Sequence, residues 1–166
     1  YVGADHIAAL TATRFNEFRG TACLIDVGTN TEISLIHNQI IRTCSCASGP
    51  AFEGAHIHDG MRAAPGAIEK VKICGGEVEI STIGAQKPVG ICGSGILSAI
   101  AEMRKNDLID RRGVFQRQHP LVKQSGNQPF FILADRNATG AQHAIHINRQ
   151  DVHEIQLAKA AIRTGI

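Results

Sequence analysis

The chain has 166 residues, a formal charge of +2, 43% hydrophobic residues and 19% charged ones. That length supports one domain with a sizeable core and a small subdomain, and a charge this low without a long basic block argues against a nucleic-acid partner. No apolar run reaches membrane-spanning length and the start lacks the parts of a signal peptide, so the expectation is a cytoplasmic protein with no membrane partner.

Residues 4–13, rich in Ala and Leu with Asp5 in the first turn, predict a helix, and residues 14–20 read as a polar connection. Strands are expected over 22–27, 32–37 and 40–44, the last two joined by a turn at His37-Asn38-Gln39. A small-residue turn at 47–50 leads into a short helix from about Ala51, with Gly49-Pro50 suited to a helix start. Residues 67–74 and 77–83 flank Gly75-Gly76 as a hairpin, the start of an inserted subdomain. Gly93-Ser94-Gly95 opens a helix to about Lys105, with Ser94 as cap and Ile96, Leu97, Ile100 and Met103 as its apolar stripe. Residues 110–127 read as a loop, and 130–134 and 144–147 as strands. Asn148 and Asp151 have capping-box spacing ahead of a last helix whose buried side is Val152, Ile155, Ala158 and Ile162, with Gly165 as its stop. The expected division is residues 1–60, an inserted α+β subdomain at 61–143, and a return strand and helix at 144–166.

Five cysteines, Cys23, Cys44, Cys46, Cys74 and Cys92, form an odd number without a repeated CxxC pattern. That points to a reducing compartment, five free thiols and no bound metal in this chain, apart from a magnesium ion at Asp26. Cys44-Ser45-Cys46 puts two thiols on one strand face, but no second ligand pair lies at a convincing spacing.

The run from Leu24 to Leu35 carries the first candidate chemistry. Gly28 permits close backbone approach and turn N–H groups can converge on an anion. Thr29 and Asn30 add side-chain donors, and Asp26 at the strand end can place a magnesium ion through water. The competing reading is an ordinary hairpin turn. Gly90-Ile91-Cys92-Gly93-Ser94-Gly95 is a second glycine-rich site: a helix N-terminus there attracts anions, or the small residues serve only packing. His56-Ile57-His58-Asp59 reads as a solvated polar turn rather than a metal site. Glu53 is a candidate partner for a ribose hydroxyl or an ordinary exposed residue, while Arg62 and Lys70 read as solvated surface rather than phosphate ligands. No nucleophile has a local activating signature.

Asp26-Val27-Gly28-Thr29-Asn30 resembles the second phosphate motif of the actin, sugar-kinase and heat-shock-chaperone ATPases. Ser48-Gly49-Pro50-Ala51-Phe52-Glu53-Gly54-Ala55 resembles their cleft-entering turn and helix, and residues 2–10 resemble the helix connecting their lobes. Gly60-Met61-Arg62-Ala63-Ala64-Pro65-Gly66-Ala67-Ile68-Glu69, Pro88-Val89-Gly90-Ile91-Cys92-Gly93-Ser94-Gly95 and residues 154–163 resemble one branch, the reductive activators of corrinoid proteins. The resemblance implies an α/β fold: a ribonuclease-H-like half of an actin-like ATPase core with a small inserted α+β subdomain. It also implies ATP or ADP with magnesium as ligand, and ATP-driven reduction of a cobalt(II) corrinoid protein in a methyltransferase system. Asp26 would be the catalytic residue, holding magnesium or water; Gly28, Thr29, Asn30, Gly49, Glu53, Gly93 and Ser94 would bind the nucleotide. A two-iron two-sulfur cluster is expected only in a preceding part of a longer protein, of which this chain would be an inactive, self-associating fragment. The alternatives are a docking module with a vestigial nucleotide site and a small-molecule kinase lobe on the same fold.

Overall fold

A computed structural model describes residues 2–166, which fall into two compact units. The first comprises residues up to Pro50 together with 157–166, and the second runs from Ala51 to Gln156.

In the first unit a helix, α1 (Ala4–Ala12), precedes an antiparallel meander of β1 (Thr21–Val27), β2 (Thr31–His37) and β3 (Ile40–Cys46) in the order β1-β2-β3. The β2–β3 turn places Asn38 and Gln39 at positive φ (49° and 64°), the paired left-handed backbone of a tight hairpin. The central strand is covered on both faces. On one, buried His6 of α1 shares a 2.7 Å Nε2–Oγ hydrogen bond with Ser34, which in turn bonds the Thr43 hydroxyl at 2.6 Å. On the other lies the end of the last helix, α3 (Arg149–Gly165), where the Cys44 thiol donates to the Gly165 carbonyl at 3.3 Å. Gly165 is therefore the last helical residue and not a left-handed stop beyond it. A β-carbon there would lie 2.3 Å from Cys46 Sγ, so any larger residue requires that thiol to move. All five thiols are unpaired, and burial, then Cys44 and Glu32, push the Cys46 thiol up from its ordinary pKa. The polar connection after α1 hides one apolar anchor, Phe15, in a single 3₁₀ turn.

The second unit contains two sheets. β4 (Ala67–Cys74) pairs antiparallel with β5 (Glu77–Thr82) and parallel with the two-residue β6 (Gly90–Ile91). Helix α2 (Gly93–Lys105) lies against β4: Ser98 Oγ accepts from the Val71 N–H and donates to the Val71 carbonyl, both at 3.0 Å. Its buried stripe is Ile96, Ala99 and Met103, while Leu97, expected inside, is exposed. Ile96, Ala99 and Met103 recur at the spacing of one helical face, and Leu97 lies about 100° around from Ile96. The other sheet is β7-β8-β9 (Val122–Ser125, Gln128–Ala134, Ile145–Asn148). β7 falls in the expected loop because Lys123, Gln124 and Ser125 are all exposed and only Val122 is buried. Fully buried Ile68, Ile91, Met103, Phe131, Ile145 and Val152 supply much of the unit's core, each worth about 1.5–3 kcal/mol of apolar transfer.

Candidate functional site

The expected site residues divide between the units. Asp26, Gly28, Thr29, Asn30 and Gly49 belong to the first; Glu53, Gly93 and Ser94 belong to the second.

In the first unit β1 and β2 are in register up to the Val27–Thr31 pair, leaving residues 28–30 as the turn. That turn is held from its carbonyl side. Ser48 Oγ lies 2.8 Å from the Gly28 carbonyl oxygen and 2.7 Å from Thr31 Oγ1, and the Gly49 N–H donates to the Thr29 carbonyl at 2.9 Å. The two glycine-bearing segments, twenty residues apart in sequence, thus meet. Gly49 has φ 76°, and a β-carbon built there would meet nothing within 4 Å. The backbone conformation alone demands glycine at that position. Asp26 sits directly across the ladder from Glu32, whose buried carboxylate accepts from Ser45 Oγ at 3.0 Å. Two acids opposite each other on one sheet face are unfavourable by themselves, and a hard cation offsets that repulsion. The position of Glu32 opposite Asp26 depends on hairpin register, which no local motif in the sequence reveals.

In the second unit Phe52, Glu53, Arg62, Ala63, Gly93 and Ser94, with Cys92, line a cavity of about 430 Å³. The expected helix at Ala51 is a single 3₁₀ turn, Pro50–Glu53, ended by Gly54 at φ 82°. Glycine is required at the start of α2 for packing. A β-carbon on Gly93 would lie 1.7 Å from the Phe52 carbonyl oxygen, and one on Gly95 2.0 Å from that of Ile68. Cys92, with no side-chain capping bond, precedes the helix, so Ser94 is not its cap; Ser94 Oγ instead lies 3.3 Å from Cys92 Sγ. The close packing leaves the first turn of α2 bordering the cavity together with Arg62. A helix N-terminus and a guanidinium on one cavity favour an anionic ligand.

His56-Ile57-His58-Asp59 is not a uniformly solvated turn. His56 is exposed at φ 63°, but Asp59 is buried. Its carboxylate accepts from the His146 N–H at 2.8 Å and pairs with His143 Nε2 at 2.8 Å, while its carbonyl takes the Ile91 N–H at 2.8 Å. Burial works to raise the Asp59 carboxyl, yet the His146 N–H and the His143 and His58 bonds outweigh it and hold the pKa below the ordinary value. The capping box is present: Asp151 accepts from the Asn148 N–H at 2.8 Å and Asn148 Oδ1 accepts from the Asp151 N–H at 3.1 Å. Asp151 also takes the His58 N–H at 2.7 Å, and burial pushes its pKa up despite these bonds. His143 and His146 lie more than eighty residues from Asp59, beyond the reach of any local motif.

Residues 20–166 match the family model described as the C-terminal domain of RACo, the ASKHA domain. The chain is 41% identical over 177 aligned residues to the corrinoid activation enzyme RamQ of Eubacterium limosum, covering 99% of this chain and 29% of that protein. It is 33% identical over 132 residues to a [Co(II) methylated amine-specific corrinoid protein] reductase of Methanosarcina barkeri, covering 66% of this chain and 24% of that protein. Among solved structures, a reductive activator for corrinoid, iron-sulfur protein superposes with a TM-score of 0.93 at 38% identity, over 99% of this chain and 27% of that one. The chain therefore spans less than a third of the length of these relatives.

Proposed function

The chain belongs to the family of RACo C-terminal ASKHA domains, and from that premise we propose that it is part of an ATP-dependent reductive activator of a corrinoid protein. The activator returns an inactive cobalt(II) corrinoid of a methyltransferase system to its reduced state. The names of the relatives support this reading at the level of corrinoid activation. Bound ATP supplies the free energy of hydrolysis, and electrons arrive through a two-iron two-sulfur cluster carried elsewhere in the longer protein.

The observation that carries the nucleotide role is the meeting of residues 28–30 with Ser48 and Gly49. Fixing the turn from its carbonyl side before ligand arrives lowers the ordering cost of binding. In this reading Gly28, Thr29 and Asn30 take phosphate, Gly49 edges the site, and Asp26, across the ladder from Glu32, places magnesium or water. Glu53 takes a ribose hydroxyl, and Gly93 and Ser94 present the α2 N-terminus to an anionic group. The longer protein is a cytoplasmic ATPase, whereas this chain alone hydrolyses ATP weakly or not at all.

Gly28→Val in a full-length protein carrying this sequence tests the reading. A backbone hydrogen bond to a charged group is worth about 1.5–3 kcal/mol, so ADP binding weakens at least ~10-fold while the variant stays folded by circular dichroism. Unchanged ADP affinity in the folded variant sinks the phosphate role. A phosphorylated small-molecule product, in place of ATP-dependent cobalt reduction, replaces the activator with a kinase.

A further inference from the structure

We propose that His58, Asp59 and His146 form a binding site for one divalent transition-metal ion of the zinc class, with His143 as the positioning residue behind it. The site lies wholly within the second unit and is distinct from the nucleotide role assigned above. His58 and Asp59 come from the segment after the 3₁₀ turn, and His146 from β9.

Three potential ligand atoms face one another there, all within 4.8 Å. His58 Nδ1 lies 3.2 Å from Asp59 Oδ2, and His146 Nδ1 lies 3.5 Å from the same oxygen. Zinc–nitrogen and zinc–oxygen bonds of about 2.0–2.1 Å give a tetrahedron with edges of about 3.3–3.4 Å. The two edges to Asp59 bracket that value, and the third, between the His58 and His146 nitrogens, lies within 4.8 Å, so a metal draws the two imidazoles together to the extent that this edge exceeds about 3.4 Å.

The hydrogen bonding agrees with this geometry. His146 Nδ1 has only long approaches, 3.4 Å to the Ala144 carbonyl and 3.5 Å to Asp59. Both exceed the usual N–H···O range of about 2.7–3.2 Å. That nitrogen is poorly used as a donor and well placed as a ligand. Asp59 is already oriented: its Oδ1 is held by His143 Nε2 at 2.8 Å and its Oδ2 accepts the His146 N–H at 2.8 Å, and a metal on Oδ2 would take the place of the 3.2 Å contact with His58 Nδ1. A metal-binding carboxylate tied by outer hydrogen bonds is the usual arrangement around such ions.

The donor set, two imidazoles and one carboxylate, suits zinc, cobalt(II) or nickel(II) better than magnesium, which prefers oxygen ligands. His58 and His143 are about half exposed, so water can reach the ion and complete its coordination. The site has three protein ligands, and an open fourth position is also found at catalytic zinc centres. A bound ion would brace the His58–Met61 segment, which the Ile91 N–H and carbonyl already hold and which leads directly to Arg62 on the 430 Å³ cavity.

The test is titration of the chelator-treated protein with Co²⁺, followed by visible absorption, with Zn²⁺ added to displace it. The expected result is one saturable equivalent with the weak visible bands of nitrogen and oxygen ligation, and a rise in melting temperature. His58→Ala and His146→Ala abolish both. His143→Ala weakens binding about 10- to 100-fold, as loss of an outer-shell partner does. Because His58 is half exposed, its variant is expected to melt like the unmodified protein in chelator, and it decides the matter if the His146 variant does not fold. Absence of saturable binding, binding unchanged in His58→Ala, or intense near-ultraviolet bands from cysteine thiolates would each overturn the assignment.

Discussion

At the scale of single residues, the glycines carry most of what sequence can say and also mark where it stops. Gly93 was readable as part of a small-residue motif, but the motif does not say whether it serves a ligand or packing. The structure supplies the missing term: the Phe52 carbonyl oxygen would lie 1.7 Å from any β-carbon at 93. Backbone cannot swing aside as a flexible side chain does, so Gly93→Ala should lower unfolding free energy by about 1–3 kcal/mol, measured by urea denaturation. Wild-type stability in that variant would show that the 3₁₀ turn at Pro50–Glu53 is free to shift. Gly49 contrasts with it, since open space surrounds its missing side chain and only φ constrains it. Asp59 was legible as a polar residue near a turn. Its burial was not, because the groups that compensate it, on His143 and the backbone of His146, come from the far end of the unit.

At the scale of elements, period and punctuation located most strands and helices, since buried faces repeat regularly and Gly75-Gly76 or Asn38-Gln39 mark turns. β7 escaped because a strand with a single buried residue has no alternation to read. The stripe of α2 was placed slightly wrongly because Leu97 outranks Ala99 in hydrophobicity while geometry favours the alanine. A polar residue on that helix is equally informative. Glu102 accepts the Ile73 N–H at 2.9 Å and pairs with Lys105 at 3.3 Å. The Ile73 N–H, opposed by partial burial and helped by Lys105 and Asn106, holds its pKa below the ordinary 4.5. A depressed carboxylate stabilises the fold above its unfolded-state pKa and loses that contribution as pH falls through the folded value. Glu102→Gln should therefore melt at a lower temperature than wild type at pH 7, with the two converging as pH drops below about 4.5. A difference that persists unchanged into strong acid would assign the effect to shape and not to charge.

At the scale of the whole molecule, β1 has a neighbour on one side alone among the described residues. Ile25 and Val27 are 41% and 51% exposed along it. An unpaired apolar edge recruits other strands, and lysine on such an edge discourages this. The chain should show an average mass above the 17.8 kDa of one copy at high concentration, and Ile25→Lys should bring it back towards that value by light scattering. A wild-type chain that stays monomeric would show that the edge is protected by other means. The far neighbour of a strand is a property of topology, so it was accessible to the sequence only through resemblance to a family whose sheet order is known.

Asp151 ties two events into one. The same first-turn carboxylate receives the N–H of Asn148, the capping residue just ahead of α3, and the His58 N–H. Fraying of the helix start therefore removes an acceptor from the 58–61 segment, and release of that segment removes a reason for the carboxylate to stay inside. Helix start and loop are therefore expected to open together as one unit in the native ensemble, although ninety-three residues of chain separate His58 from Asp151.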